Sequence, residues 1–398
     1  MAQESDTTEI NIPRNPRFGE YNRPFLELNT EFGAASRQWS TNQMVDFFYG
    51  DFIDENQKAA MMDKSPNGLA LAAVQNWEIR FVYSGHFKTR MLPLPARSIY
   101  MYNRYYTNLT MPSDLVGLFL YGNKGTAGQA QNIGDFSYQS WFYSGIGHQM
   151  TFMADTFPVS LGVSLVAIHN LTKYQVESGS LYTQPDGSAI EFNGQYDFGE
   201  TTSPNSYSIS GWGLAVNLET AEEMGKHKIR LGVYDFGLAY MSNWERIQRD
   251  SSFVFEGLDV GSVFTLEEEG FNSLVDSLQA GVVGQSQMGS WQALPFNLKA
   301  YYSYQFLDRH FAFMEMQYLH LPQYRLRAAL GYGYEWENFE ARGGFGYGGF
   351  NAYSFNLSLN WKLNRYLRLQ GGLTNLFGVV SPAWSGGSIG NFAIRYYF

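Results

Sequence analysis

Residues 324–336 alternate with a period of two: Tyr324, Leu326, Ala328, Leu330, Tyr332, Tyr334 and Trp336 share one parity, and Arg325, Arg327, Ala329, Gly331, Gly333 and Glu335 the other. Beyond a turn at Glu337–Asn338, Phe339, Ala341, Phe345 and Tyr347 alternate with Glu340, Arg342, Gly344 and Gly346. Successive strand side chains point to opposite faces, so this pattern predicts a hairpin with one greasy face and one face of arginine, glutamate and glycine. The same alternation runs through 353–363, where Tyr353, Phe355, Leu357, Leu359, Trp361 and Leu363 oppose Ser354, Asn356, Ser358, Asn360 and Lys362. It recurs at 157–167, 296–306 and 206–218, the last with a bulge expected near Gly211. The C-terminal residues set Phe392, Ile394, Tyr396 and Phe398 against Asn391, Ala393 and Arg395.

Matching the greasy faces fixes the turns. Residues 337–338 and 364–366 become ordinary hairpin connections. With Phe398 on the periplasmic side, the short turns at 307–310, 337–338 and 364–366 share that side, and "NLFGVVSPAWSGGS" falls opposite. Short periplasmic turns and longer outer loops are the rule for transmembrane barrels. About sixteen candidate strands lie between Pro24 and Phe398, the weakest being 245–256 and the run 88–106 broken by Pro93 and Pro95. Three interruptions predict helix: 40–64, capped by Ser40, then 111–123 and 265–279. By parity they lie on the outer side or fold into the lumen.

A greasy strand face needs either a protein core or lipid. Sandwich strands average about 5–6 residues, whereas these reach the roughly 9–11 needed to cross a tilted bilayer. Their ends carry tyrosine and tryptophan, as an interfacial girdle requires. Composition points the same way. Of 398 residues only 16% are charged, against roughly 25% in soluble domains, while aromatics make up 17% and glycine numbers 41. Mean hydropathy is −0.28 and no run of eighteen apolar residues occurs, which excludes a helical membrane span. The predicted fold is all-β, a transmembrane antiparallel β-barrel of fourteen to sixteen strands with short helical inserts in the lumen or outer loops. Residues 1–23 are expected to form a periplasmic or plug segment, and 24–398 the barrel. The opening "MAQESDTTEI" has neither a basic nor an apolar signal region, so a mature exported form is expected, in the outer membrane of a Gram-negative bacterium. Cysteine is absent, which removes disulfides and thiolate chemistry. A net charge of −10 without any basic stripe argues against nucleic acid as a partner.

The N-terminal "IPRNPRFGEYNRPFLELNTEFG" resembles the start of long-chain fatty-acid-transporter-like barrels, in which an Asn-Pro motif precedes the first strand and the N-terminal segment plugs the lumen. The motif stands here as Asn15–Pro16, followed by Arg17 in place of the usual small residue. The stretches "SSFVFEGLDVGSVFTLEEEGFNSLVDSLQ" and "QALPFNLKAYYSYQF" are similar to a Bacteroidota outer-membrane barrel family of unknown function. The resemblance implies a fourteen-stranded transporter-like barrel and no particular substrate or reaction.

Parity makes Arg325, Arg327, Glu335, Glu340, Arg342, Lys362, Arg368 and Arg395 lumen-facing candidates. They could line a solute path, latch a plug, or form a salt-bridge network that stiffens a packed barrel. Phe47, Phe48, Tyr49 and Phe52 in the first insert, with Phe271, Leu274 and Leu278 in the third, are plug or lid candidates; simple packing on the barrel rim is the bland alternative. Catalysis has little support. None of the six histidines sits in a nucleophile motif, the glycine-rich "GGFGYGG" lies in a strand, and "GDFIDEN" lacks calcium-loop spacing, so no catalytic residue, metal or cofactor is expected. The expected function is a passive channel or transporter for small solutes, hydrophobic ones included. A non-transporting scaffold is the alternative, and a lipid-modifying enzyme stands last. Expected partners are outer-membrane lipid, a small hydrophobic solute, and a surface lipoprotein or an envelope assembly or secretion protein.

Overall fold

The computed structural model describes residues 24–50, 52–83, 96–123, 125–154, 157–202, 207–255, 286–287 and 289–398. Fourteen antiparallel strands close into a barrel. In order around the wall they are β1 (Phe25–Ser36), β2 (Leu69–Tyr83), β3 (Ala96–Met111), β5 (Phe136–Ala154), β6 (Phe157–Thr183), β8 (Gly211–Met224), β9 (His227–Met241), β13 (Asn297–Leu307), β14 (His310–Leu319), β15 (Arg325–Glu335), β16 (Phe339–Gly349), β17 (Tyr353–Lys362), β18 (Leu367–Leu373) and β19 (Gly387–Tyr397). Strand β19 pairs back onto β1, with Phe25 opposite Tyr397 and Glu27 opposite Arg395, so no edge is left in the wall. The peripheral strands β4 (Ala130–Asn132), β7 (Ile190–Thr201), β10 (Trp244–Phe255), β11 (Ser286–Gln287) and β12 (Ser290–Ala293) attach beyond one end.

The expectation of up to sixteen spanning strands is thus corrected to fourteen. The segment expected at 245–256 is extended over its described residues, but as β10 it pairs with β7, not with the barrel wall. Strand β6 explains why. At 27 residues it far exceeds the roughly 9–11 of a membrane crossing. Its residues 159–168 pair with β8, while 172–183 pair with β7 and rise clear of the barrel. Of the run 88–106, residues from Ala96 onward belong to β3, and 84–95 lie outside the described residues.

One end of the barrel gathers the tight connections, between Met224 and His227, Leu307 and His310, Glu335 and Phe339, and Lys362 and Leu367. The chain ends meet there too, the Phe398 N–H donating to Pro24 O at 3.0 Å. The opposite, long-loop end carries α1 (Thr41–Tyr49), α2 (Glu55–Lys64) and α3 (Ser113–Tyr121). The helical stretch predicted over 40–64 is two helices, each opened by a capping box, Ser40 with Gln43 and Asp54 with Gln57. Gly50 ends the first with φ 75°, a conformation that costs a residue without a β-carbon little.

These helices are outside the lumen. Their buried side chains, Met44, Met61, Val116 and Leu120, pack with Leu69, Leu71, Leu109 and Met111. Those strand residues share the outward parity and alternate with inward Val74, Tyr106 and Asn108. The 111–123 and 40–64 inserts therefore form a collar on the rim; the third, 265–279, lies outside the described residues.

The outward face matches lipid. Leu161, Val163, Leu165, Leu214, Leu218, Leu231, Leu330 and Phe345 are exposed around it. Trp336, Trp361, Tyr396 and Phe398 ring the short-turn end, and Trp212, Tyr240, Trp291, Tyr347 and Tyr353 the other. An apolar band between two aromatic girdles is the signature of a barrel in a bilayer. Inside, a continuous cluster crosses the lumen: Tyr106, Trp141, Tyr143, Ile168 and Leu171 from one wall meet Leu319, Leu321 and Phe350 from the other.

Candidate functional site

The strand register sets the inner charges in rows. Gly333 opposes Arg342 and Glu335 opposes Glu340, as the face-matching argument requires. Lys362 opposes Arg368, Arg368 opposes Arg395, Arg395 opposes Glu27 and Glu27 opposes Arg80, a charged row across five adjacent strands. Arg395 is ion-paired with Glu27, both buried, and its guanidinium stands 4.3 Å over the Phe25 ring. Arg342 pairs with Glu340 and lies 4.9 Å over Tyr301. Arg368 lies 5.1 Å over Tyr397. Much of this charge is thus spent within the wall, on ion pairs and on aromatic faces that attract cations.

A second network did not emerge from the sequence. Arg104 on β3 donates to Glu78 of β2 at 3.0 Å and to Asp235 of β9 at 3.2 Å. Glu78 also takes Arg80 at 2.9 Å. Asp235 reaches inward because β9 bulges there, with φ 56° at a non-glycine residue; bulges re-aim side chains in this way. Its own N–H donates to Asn217 Oδ1 at 2.7 Å, and Asn217 in turn donates to the Tyr100 hydroxyl at 3.0 Å. The available signal was the inward parity of Glu78 and Arg80 in "QNWEIRF"; the partner on β9 had none.

Two larger cavities stand on either side of the apolar septum. The mid-barrel cavity has a volume of about 350 Å³ and is faced by Glu31, Glu315, Gln317, Arg327, Asn356 and Gln370 among others. A vestibule of about 700 Å³ opens at the long-loop end, faced by Gln38, Asn67, Gln139, Lys173, Gln175 and Arg325. A space of about 40 Å³ lined by Tyr106, Leu319, Tyr324 and Phe350 lies within the septum itself. Arg325 and Arg327 thus face different compartments, although sequence parity set them on one wall. The register slips between Arg325 and Ala328, and this bulge turns them apart. Glu335, Glu340 and Arg342 gather near Lys226 and Lys228 at the short-turn mouth. Such polar compartments can hold water and small polar solutes. Among the described residues no group of three or more histidines and acids is placed to hold a metal.

The aromatic candidates of the first insert, on α1 and just beyond it, line none of these cavities. Phe47 packs edge-on to Trp39 at 5.0 Å, while Phe48, Tyr49 and Phe52 are 60%, 84% and 89% exposed on the rim. Phe271, Leu274 and Leu278 lie outside the described residues, as does Asn15–Pro16. A Ser–His contact that no motif announced sits on the outward face, Ser144 Oγ at 2.8 Å from His169 Nε2. His169 occupies a bulge of β6, and its Nδ1 meets the main-chain carbonyl of Tyr207 at 3.1 Å. A carbonyl orients the ring but lacks the charge with which a carboxylate stabilises imidazolium in a catalytic triad.

No family model and no curated protein matches the chain. Among solved structures it is similar to a deltaS2S3 mutant of the monoaromatic hydrocarbon channel TodX, with TM-score 0.46 and 9% identity over 94% of this chain and 90% of that one. It is also similar to a FadL homologue of Pseudomonas aeruginosa, with TM-score 0.45 and 9% identity over 94% and 90% of the two chains. The toluene transporter TbuX of Ralstonia pickettii gives TM-score 0.43 and 12% identity over 94% and 89%.

Proposed function

We propose that this chain is a passive outer-membrane transporter for small solutes, closed at rest by the septum between its two cavities. The observation that carries this reading is the stacking of two polar compartments, about 350 and 700 Å³, along one lumen with a thin apolar layer between them. A barrel that only had to be rigid would gain more from continuous packing than from cavities, since voids forfeit contacts. Within the class of small solutes expected from the sequence, hydrophobic ones included, the polar linings favour a polar one. The septum depends on Leu321 and Phe350, which sit on connections at the strand ends, where a modest loop displacement would join the compartments. Reconstitution in planar bilayers tests this. Wild type should show rare, small openings, and Leu321→Gly combined with Phe350→Ala should raise conductance severalfold. An electrically silent double variant that still folds would overturn the transporter reading.

The scaffold reading draws on one feature, the sheet of β6, β7 and β10 that rises beyond the rim and could receive a partner protein. It requires no flux from either form and a stable companion in gentle-detergent purification.

A further inference from the structure

Most of the charge around the mid-barrel cavity is already committed. Glu27 is held by Arg395 and Arg342 by Glu340, while Arg230 and Lys299 stand over Tyr301 and Tyr234 at 5.3 and 5.8 Å. Arg327, Glu31 and Glu315 face the same space and make no ion pair among the described residues. Among the described residues Glu31 accepts from the Asn76 amide at 2.9 Å, and Glu315 stands in the field of Arg342 without an ion pair.

Arg327 is presented by a dedicated irregularity. Between the pairs Arg325–Gly349 and Ala328–Tyr347, β15 takes three steps while β16 takes two. Gly348 and Gly349 accommodate the mismatch at φ 96° and 73°. Strand bulges recur where a side chain must be re-aimed next to a site. Around Arg327 the wall is polar and unsatisfied. Gln317 lies directly across on β14. The Nε of Arg327, both polar atoms of the Asn356 amide and Oδ1 of Asn297 are buried without a partner. Native proteins leave few such groups, and each one calls for an occupant, whether water or ligand.

The chemistry of that occupant follows from these three charges, which no ion pair among the described residues neutralises. A guanidinium takes a carboxylate through two parallel hydrogen bonds. A simple anion drawn to Arg327 would also meet two carboxylates across a cavity of about 350 Å³, and a simple cation drawn to them would meet the guanidinium. Only a ligand carrying both signs gains from both. Resting on the transporter reading above, we propose that Arg327, Glu31 and Glu315 form a transit site for a small zwitterion of the amino-acid or short-peptide kind. Its carboxylate sits on Arg327, within reach of the Asn356 and Gln317 amides, and its ammonium lies towards the glutamates.

The test uses the purified full chain and four matched solutes: diglycine (zwitterion), N-acetylglycine (anion), glycinamide (cation) and N-acetylglycinamide (neutral). Calorimetry in detergent should rank diglycine first. Arg327→Gln should weaken diglycine about tenfold, the loss of one bidentate charged contact, and leave the neutral analogue unchanged. Glu31→Gln with Glu315→Gln should erase the preference for diglycine over N-acetylglycine. Arg327→Lys keeps charge without the fork and should fall between, and it carries the test should the glutamine variant fail to show the heat-modifiable gel shift of a folded barrel. Equal binding of the neutral and zwitterionic solutes, or diglycine binding indifferent to Arg327, would overturn the site. Swelling of liposomes containing the Leu321→Gly, Phe350→Ala variant separates the two failures. No swelling with any solute defeats the transporter reading, whereas equal swelling with all four leaves the transporter and defeats the zwitterion site.

Discussion

The side-chain amide of Asn108 donates to the carbonyl oxygen of Pro322 at 2.7 Å, and the two lie on opposite walls of the barrel. Asn108 is on β3, third in the ring of fourteen, and Pro322 leads into β15, tenth in the ring, so half the circumference separates them. The bond ties the β14–β15 connection across the lumen beside Leu321, a septum residue. Arg37 adds a second tie, donating to Gln323 O and, at 3.3 Å, to Gly349 O.

Cutting the first tie should loosen the septum without harming the wall. A hydrogen bond of this kind contributes about 0.5–1.5 kcal/mol, which corresponds to a shift of up to roughly tenfold between closed and open forms. We expect Asn108→Ala to raise single-channel open probability by that order while the unfolding midpoint hardly moves. Unchanged gating would mean that Pro322 is held by its own loop.

Arg104 calls for the opposite expectation, a large loss of stability. It stands between buried Glu78 and Asp235, and removing one member of a buried charged set leaves the others uncompensated, at a cost of about 3–5 kcal/mol. Arg104→Met alone should therefore destabilise the barrel strongly. The double change Arg104→Met with Asp235→Asn keeps the Glu78–Arg80 pair and should recover much of the loss. Urea unfolding in detergent micelles reads both, and a double variant weaker than the single would refute this account of the network.

The contrast between these two features shows how far the sequence could be read. Alternation along 324–349 determined both the faces and the partners, because a two-residue turn leaves little freedom in register: Glu335 meets Glu340 and Gly333 meets Arg342. The same reasoning set Lys362 against Arg368. It failed where a contact joins strands that are not neighbours, as with Arg104 and Asp235 or Asn108 and Pro322, since neither partner carries a sign of the other. It also failed at bulges, which reset parity without a distinctive residue: Asp235 and the slip before Ala328 both escaped. Strand β10 was over-read as a barrel strand because alternation reports two unlike faces and says nothing about which neighbour is paired.

Gly348 offers a direct check on the bulge that presents Arg327. At φ 96° an L side chain is strained, and a β-carbon there would press into the carbonyl of Leu326 inside van der Waals contact. Strain of this kind is worth about 1–3 kcal/mol. Gly348→Ala should thus lower stability by that order or straighten the strand and withdraw Arg327 from the cavity. In either case diglycine affinity should fall in parallel with Arg327→Gln, and a variant that keeps both stability and affinity would show that the slip is not held by this glycine.

Helix α1, with exposed Phe48 and Tyr49 and followed by exposed Phe52, is joined to the lipid-facing wall. Phe345 contacts Phe355 at 5.0 Å and Phe355 contacts Phe377 at 5.8 Å, leading from the wall to the single helical turn Phe377–Val380. The start of α1 is bonded to that same segment, through Thr41 Oγ1 to Gly378 O at 3.0 Å and the Thr41 N–H to Ser385 O at 2.8 Å. An apolar helical face contiguous with a membrane band gains from lying in the interface, at roughly 25 cal/mol per Å² removed from water. We expect the indole introduced by Phe52→Trp to be quenched by lipids brominated near the headgroup and not by a water-soluble quencher, and we expect Phe48→Ser with Phe52→Ser to leave conductance unchanged. Quenching of that indole chiefly from water would detach the helix from the bilayer, and a conductance change in the serine variant would return it to the solute path.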